Sequence, residues 1–202
     1  MKARVLVLPL AIALAACDAP QGENDTSPAA NAAASNTAAP AGNGSGPAAE
    51  SEATRPAVAL EAEGVRLVDP GSGSARPLAF GAPLEQSIEA LSRAFGGPPS
   101  EHGTNAECGA GPMVIVKWGQ RFTALFQDDR FVGWEAGQGV STADGVAIGS
   151  TRAELDENYD FEVEQGTLGT EFSGDGLGGL FASQAADARI TALWAGTTCH
   201  FR

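Results

Sequence analysis

The stretch MVIVKWGQRFTALFQDDRFVGWEA, residues 113–136, reads as three short strands separated by two tight connections. Met113 to Trp118, Arg121 to Gln127 and Arg130 to Ala136 are joined by Gly119-Gln120 and Asp128-Asp129. Two-residue links between alternating runs are a strong short-range hairpin signal, so the segment is expected to form an antiparallel meander. Phe122, Ala124 and Phe126 fall on one side of the middle strand, and Thr123, Leu125 and Gln127 on the other. One face of this sheet is therefore expected to carry a core. The adjacent acids Asp128 and Asp129 belong to turn chemistry before acid–base chemistry.

Upstream, Pro83 suits a first helical position, and Leu84, Ile88, Leu91 and Phe95 recur on one helical face before Gly96-Gly97-Pro98-Pro99 stops the helix. Before it, Val65 to Val68 and Arg76 to Phe80 flank the turn-forming run Pro70 to Ser74 and are expected to form an antiparallel hairpin. Pro77 cannot donate to a ladder, which places its strand at an edge. Order is expected to begin near Val58.

Downstream, Gly149-Ser150-Thr151 opens a shorter helix, with Thr151 and Glu154 at capping-box spacing and Leu155 and Tyr159 continuing the stripe from Ile148. Short strands are expected near 161–164, 168–172, 177–183 and 188–195. Ala124-Leu125-Phe126 resembles Gly179-Leu180-Phe181, and Trp134-Glu135-Ala136-Gly137 resembles Trp194-Ala195-Gly196. These echoes suggest an internal repeat over about residues 79–137 and 146–197. The expected fold class is α+β: a tandem repeat of small modules, each one helix packed on an antiparallel β-meander, preceded by a β-hairpin. The expected boundaries are 1–16 for a signal peptide, 17–57 for a tether, 58–142 for the hairpin plus first module, and 143–202 for the second module.

The N-terminus has a different chemistry. Lys2 and Arg4 precede an apolar run from Val5 to Ala16, and Cys17 stands where a secretory signal would end in a small residue. The run is about 12 residues, whereas a membrane-spanning helix needs about 20. Leu14-Ala15-Ala16-Cys17 resembles the lipobox of bacterial lipoproteins, which implies cleavage before Cys17 and acylation of that residue. Several acyl chains, at about 0.8 kcal/mol per buried CH2, hold a protein on a bilayer where one myristoyl chain would not. In enterobacterial lipoproteins an aspartate after the lipidated cysteine resembles an inner-membrane retention signal, and here that residue is Asp18. From Asp18 to Ala57 there is no Val, Ile, Leu, Met, Phe, Trp or Tyr. Nothing in that stretch offsets the cost of ordering its backbone, so a disordered tether is expected. As a coil of about 40 residues it would span on the order of 35 Å.

With Lys2 and Arg4 removed, ten Lys and Arg face 25 Asp and Glu. Such a surface repels phosphate backbones, so no nucleic-acid partner is expected. Assigning Cys17 to lipid leaves Cys108 and Cys199, an even pair in an oxidising compartment, which is expected to form a disulfide.

The motifs that could carry chemistry are weak. Gly174-Asp175-Gly176-Leu177-Gly178-Gly179 spells a dinucleotide fingerprint, but its continuation reads as strand and there is no βαβ unit, so a turn is expected. Asp156 to Asp160 begins like a calcium loop, yet Phe161 and Thr167 occupy the positions that need glycine and a bidentate acid. His102 and His200 lie near Cys108 and Cys199, but oxidised cysteines are neither metal ligands nor nucleophiles. No catalytic residue, metal or cofactor is expected. Trp118, Trp134 and Trp194 are the candidate partner-binding residues, with core packing as the competing reading.

The opening Gly149-Ser150-Thr151 with Glu154 and Leu155, and the closing Phe95-Gly96-Gly97-Pro98, resemble the helix-plus-sheet modules of BamE-like lipoproteins and of the tandem beta-lactamase inhibitory protein. That resemblance implies a role in binding other proteins. The expected function is a non-enzymatic, membrane-anchored lipoprotein facing the periplasm, held through lipid on Cys17 and binding a protein partner in envelope assembly or inhibition. The alternative is a sensor domain for a ligand or envelope polymer.

Overall fold

A computed structural model describes residues 54–200, and the elements, contacts and absences given below are those of the described residues. The expected signal peptide, Cys17, Asp18 and the expected tether up to residue 53 lie outside them.

Twelve strands and two helices are present. Strands β4 (Glu101–Asn105), β5 (Met113–Trp118), β6 (Phe122–Gln127) and β7 (Arg130–Ala136) form one meander. Strands β9 (Glu162–Gly166), β10 (Gly169–Gly174), β11 (Leu177–Phe181) and β12 (Ile190–Gly196) form another. Strands β7 and β12 pair antiparallel, with Trp194 opposite Glu135 and Ala195 opposite Trp134, giving one eight-stranded sheet in the order β4-β5-β6-β7-β12-β11-β10-β9. A second, four-stranded sheet has the order β3-β2-β1-β8, from β1 (Ala57–Glu61), β2 (Gly64–Val68), β3 (Ala75–Ala79) and β8 (Ser141–Thr142). It is antiparallel apart from the short β1–β8 pair.

The expected tandem of helix-on-meander modules is therefore corrected: the protein is mostly strand, built on two sheets. Two physical features account for the difference. The last strand of each meander satisfies the other's backbone groups, so neither ends in a free edge there. And helix α2 (Arg152–Asp156) has five residues, too few to cover a four-stranded face, so apolar side chains of the small sheet join the same core instead.

Helix α1 (Leu84–Phe95) begins after Pro83 and ends at Gly96, whose positive φ of 80° closes the C-cap. Leu84, Ser87, Leu91 and Ala94 are its buried stripe. The expected hairpin is β2–β3, with Val65 opposite Leu78, and Pro77 lies on an edge strand. The register fixes the two faces of the large sheet. Val116, Phe122, Ala124, Phe126, Trp134 and Leu193 belong to the core shared with α1 and the small sheet, and this side is called the inner face. Trp134 Nε1 donates to the Glu61 carbonyl at 2.9 Å and so ties the two sheets together. Leu125, Met113 and Cys108 form a smaller cluster on the opposite, outer face, with Ile115, Val132 and Cys199 against it.

Candidate functional site

Alternation along the strands puts Lys117, Thr123, Glu135 and Trp194 in one row across the outer face, since Lys117 pairs with Thr123, Thr123 with Glu135, and Glu135 with Trp194. The chain leaves β12 at Gly196, and Thr197 N–H donates to the Val132 carbonyl at 2.8 Å. The segment 197–200 thus runs back over the outer face as a strap. Cys199 is disulfide-bonded to Cys108, with Cα atoms 5.2 Å apart and 91 residues between them in sequence, as the cysteine count predicts. Asn105 Nδ2 donates to Cys199 Sγ at 3.3 Å, so the end of β4 also holds the strap.

His200 completes the arrangement. Its ring lies 4.3 Å from the Trp194 ring, its Nε2 is 3.3 Å from Glu135 Oε1, and its Nδ1 is 3.0 Å from Thr198 Oγ1. The Thr198 hydroxyl and His200 Nδ1 are hydrogen-bond partners, and the Glu135 carboxylate faces the other ring nitrogen. Hydroxyl, imidazole and carboxylate stand in the order of a hydrolytic triad. Here, however, the hydroxyl is two residues from the imidazole on the same strap, and the ring packs against Trp194 at an interplanar angle of 59°. The three groups act as a clasp that fixes the strap's path. Beside the clasp, Lys117, Gln120, Thr123, Glu135 and Gly137 line a polar cleft of about 230 Å³. Lys117 Nζ donates to both oxygens of Glu101 at 3.1 Å.

The three candidate tryptophans are all buried. Trp118, 5% exposed, packs on the inner face 5.7 Å from the Phe95 ring and donates to Ser92 Oγ at 3.3 Å. Trp134 is fully buried beneath the small sheet. Trp194, 7% exposed, is the one on the outer face, covered by His200 and lying over Gly178, where a β-carbon would strike the indole. None offers a ring face to a partner, and the structure does not bring the three together.

The glycine-rich run divides between two roles. Asp175 and Gly176 form the β10–β11 turn with φ of 46° and 77°, as the turn reading requires. Gly178 and Gly179 lie within β11, and a β-carbon on Gly179 would meet the Phe172 ring and the Ala192 carbonyl. The glycines thus let large rings lie flat on the sheet. Asp156 ends α2, and among the described residues no group of three or more His, Cys, Asp or Glu is placed to hold a metal ion. His102 is exposed on β4.

Sequence reasoning missed the outer row and the clasp. The positions of Thr123 and Leu125 opposite the core were readable, but the strap that covers them is fixed by contacts of residues 197–200 with β4, β7 and β12, far apart in sequence. A second concavity, of about 470 Å³, lies at the end of α1 between Ile88, Ser92, Gly96, Pro98 and Arg55.

A scan against protein-family models, a search of curated proteins and a search of solved structures each return no match for this chain. Among the described residues no helix is long and apolar enough to cross a membrane.

Proposed function

We propose that this chain is a lipid-tethered, periplasm-facing interaction module that docks an envelope protein on the outer face of its eight-stranded sheet. The anchor is Cys17, read from Leu14-Ala15-Ala16-Cys17. The observation that carries the docking surface is the asymmetry of the large sheet. Its inner face is filled by α1, α2 and the small sheet, while its outer face is covered by the strap and the 106–112 loop mainly over β5–β7 and β12. Beyond the strap, half-buried Leu180 and Ala192 stand beside exposed Ser173, Glu162 and Glu164. Apolar positions within a polar rim on a rigid sheet suit a protein partner.

The test is site-specific photo-crosslinking in cells at Leu180 and Ala192, with Gln86 on the exposed side of α1 as control. One or two stoichiometric envelope proteins captured from the sheet positions and not from Gln86 would support this reading. Equal capture of abundant bystanders from all three positions would refute it.

A further inference from the structure

The sheets end in four edge strands, and three of them are guarded. In the small sheet, β8 has two residues, and β3 carries Pro77, which has no donor, beside exposed Arg76. In the large sheet, β9 presents Glu162 and Glu164 on one face, both exposed. Charge, proline and shortness are the devices by which edges avoid pairing with other chains. Strand β4 has none of them at its centre. Its sequence is Glu-His-Gly-Thr-Asn, residues 101–104 are exposed, and no described strand pairs with its far side.

We infer that β4 is a self-pairing edge, through which two copies of this chain join antiparallel about Gly103 into one continuous sheet. A two-fold axis through the strand's middle residue sets Gly103 opposite its copy, His102 opposite Thr104 and Glu101 opposite Asn105, so no like charges meet. The same construction on β9 sets Glu164 against its own copy. The isologous contact is the kind that closes a dimer and stops.

The wider charge distribution favours the same edge. Residues 143–200 carry ten Asp and Glu against two Arg, whereas residues 54–142 carry ten against seven Lys and Arg. Within the large sheet the acidic half ends at β9, seven strand spacings from β4, or about 34 Å at about 4.8 Å each. Joining at β4 therefore keeps the two acidic halves at opposite ends, well beyond a Debye length of about 8 Å. The inference stands on the fold alone and holds whether or not Cys17 is acylated.

The experiment uses the full-length chain, with Cys17→Ser in the thiol variants so that the introduced cysteine is the single unpaired one. Directly opposed residues have Cα atoms about 4.5 to 5.5 Å apart, within disulfide reach. A β-carbon at Gly103 meets nothing within 4 Å, so substitution there leaves the fold undisturbed. Gly103→Cys should cross-link at least about tenfold faster than Thr167→Cys in the β9–β10 turn. By sedimentation, the unsubstituted chain should show a concentration-dependent dimer, Gly103→Glu and Gly103→Lys should each be monomeric, and their equimolar mixture should dimerise. A monomeric unsubstituted chain, equal cross-linking at both positions, or a mixture that stays monomeric would each overturn the inference. Loss of the dimer with the photo-crosslinks at Leu180 and Ala192 retained would leave the docking proposal standing.

Discussion

Strands β4–β7 and strands β9–β12 contribute equally to the large sheet, yet different forces hold them there. The first four pack against a twelve-residue amphipathic helix, and the Phe95, Trp118 and Phe122 rings lie together with Arg121 over Phe95. Their outer face is closed by the disulfide and the strap. The second four have a five-residue helix and a cluster of Phe161, Phe172 and Phe181, with Arg152 about 6.0 Å from two of those rings. Residues 143–200, which include them, carry an excess of eight acids, and Glu162 and Glu164 stand exposed on the edge strand β9. The lesson is a division of labour: the first half carries stability, while the second half carries charge and the open sheet face.

The largest effect should come from the staple on the first half. Replacing Cys108 and Cys199 by serine should cost about 4 to 5 kcal/mol through loop-closure entropy, for a bridge spanning 91 residues. Chemical denaturation measures it, and a loss below about 1 kcal/mol would mean that the strap is held by the His200–Glu135–Trp194 clasp instead. Next, Trp134→Ala should cost about 3 to 5 kcal/mol, because it empties a fully buried site and orphans the Glu61 carbonyl. If the two sheets are coupled through this residue, unfolding of both should shift together. A shift confined to signals from β1–β3 would show that the small sheet unfolds on its own.

Much of the local structure was legible because its signals are local. Pro83 and Gly96 bracket α1, Asp128-Asp129 form the β6–β7 turn, and the β5–β6 turn runs one residue beyond Gly119-Gln120, to Arg121, with Trp118 opposite Phe122. Thr151 and Glu154 form the capping box that their spacing predicts: Glu154 N–H donates to Thr151 Oγ1 at 3.2 Å, and Thr151 N–H donates to Glu154 Oε2 at 2.6 Å. Strand β4 is not legible in the sequence, because Glu-His-Gly-Thr-Asn has no buried side and hence no alternation. The β7–β12 junction and the covering small sheet were not readable either. Both depend on pairings between residues about 60 or more apart, such as Glu135 with Trp194 and Trp134 with Glu61. The proposed docking face was not readable from tryptophan, since all three are large rings that the fold buries.

Within the second half, Gly179→Ala should cost about 1 to 3 kcal/mol by forcing the Phe172 ring and β12 apart. The comparison sharpens if amide exchange then rises in β10–β12 while β5 and β6 remain protected, for the two meanders would then respond separately. Uniform acceleration across all eight strands would show that the β7–β12 seam transmits the strain.

The smallest effect tests the lightest element. Thr151→Ala removes the N-cap of α2 and should cost about 1 kcal/mol. Its readout is better taken from Glu154, whose carboxyl is held below the ordinary glutamate range by the Thr151 backbone N–H and then by the Thr151 hydroxyl. A depressed folded-state pKa means that the contribution is fully present above the unfolded value and is lost as pH falls through the folded one. In the Thr151→Ala chain one donor is gone and the Glu154 titration, followed by NMR, should move up towards the ordinary range. The acid limb of the stability curve should move up with it. If Glu154 titrates unchanged, the backbone N–H alone sets its charge, and α2 keeps its first turn without the hydroxyl.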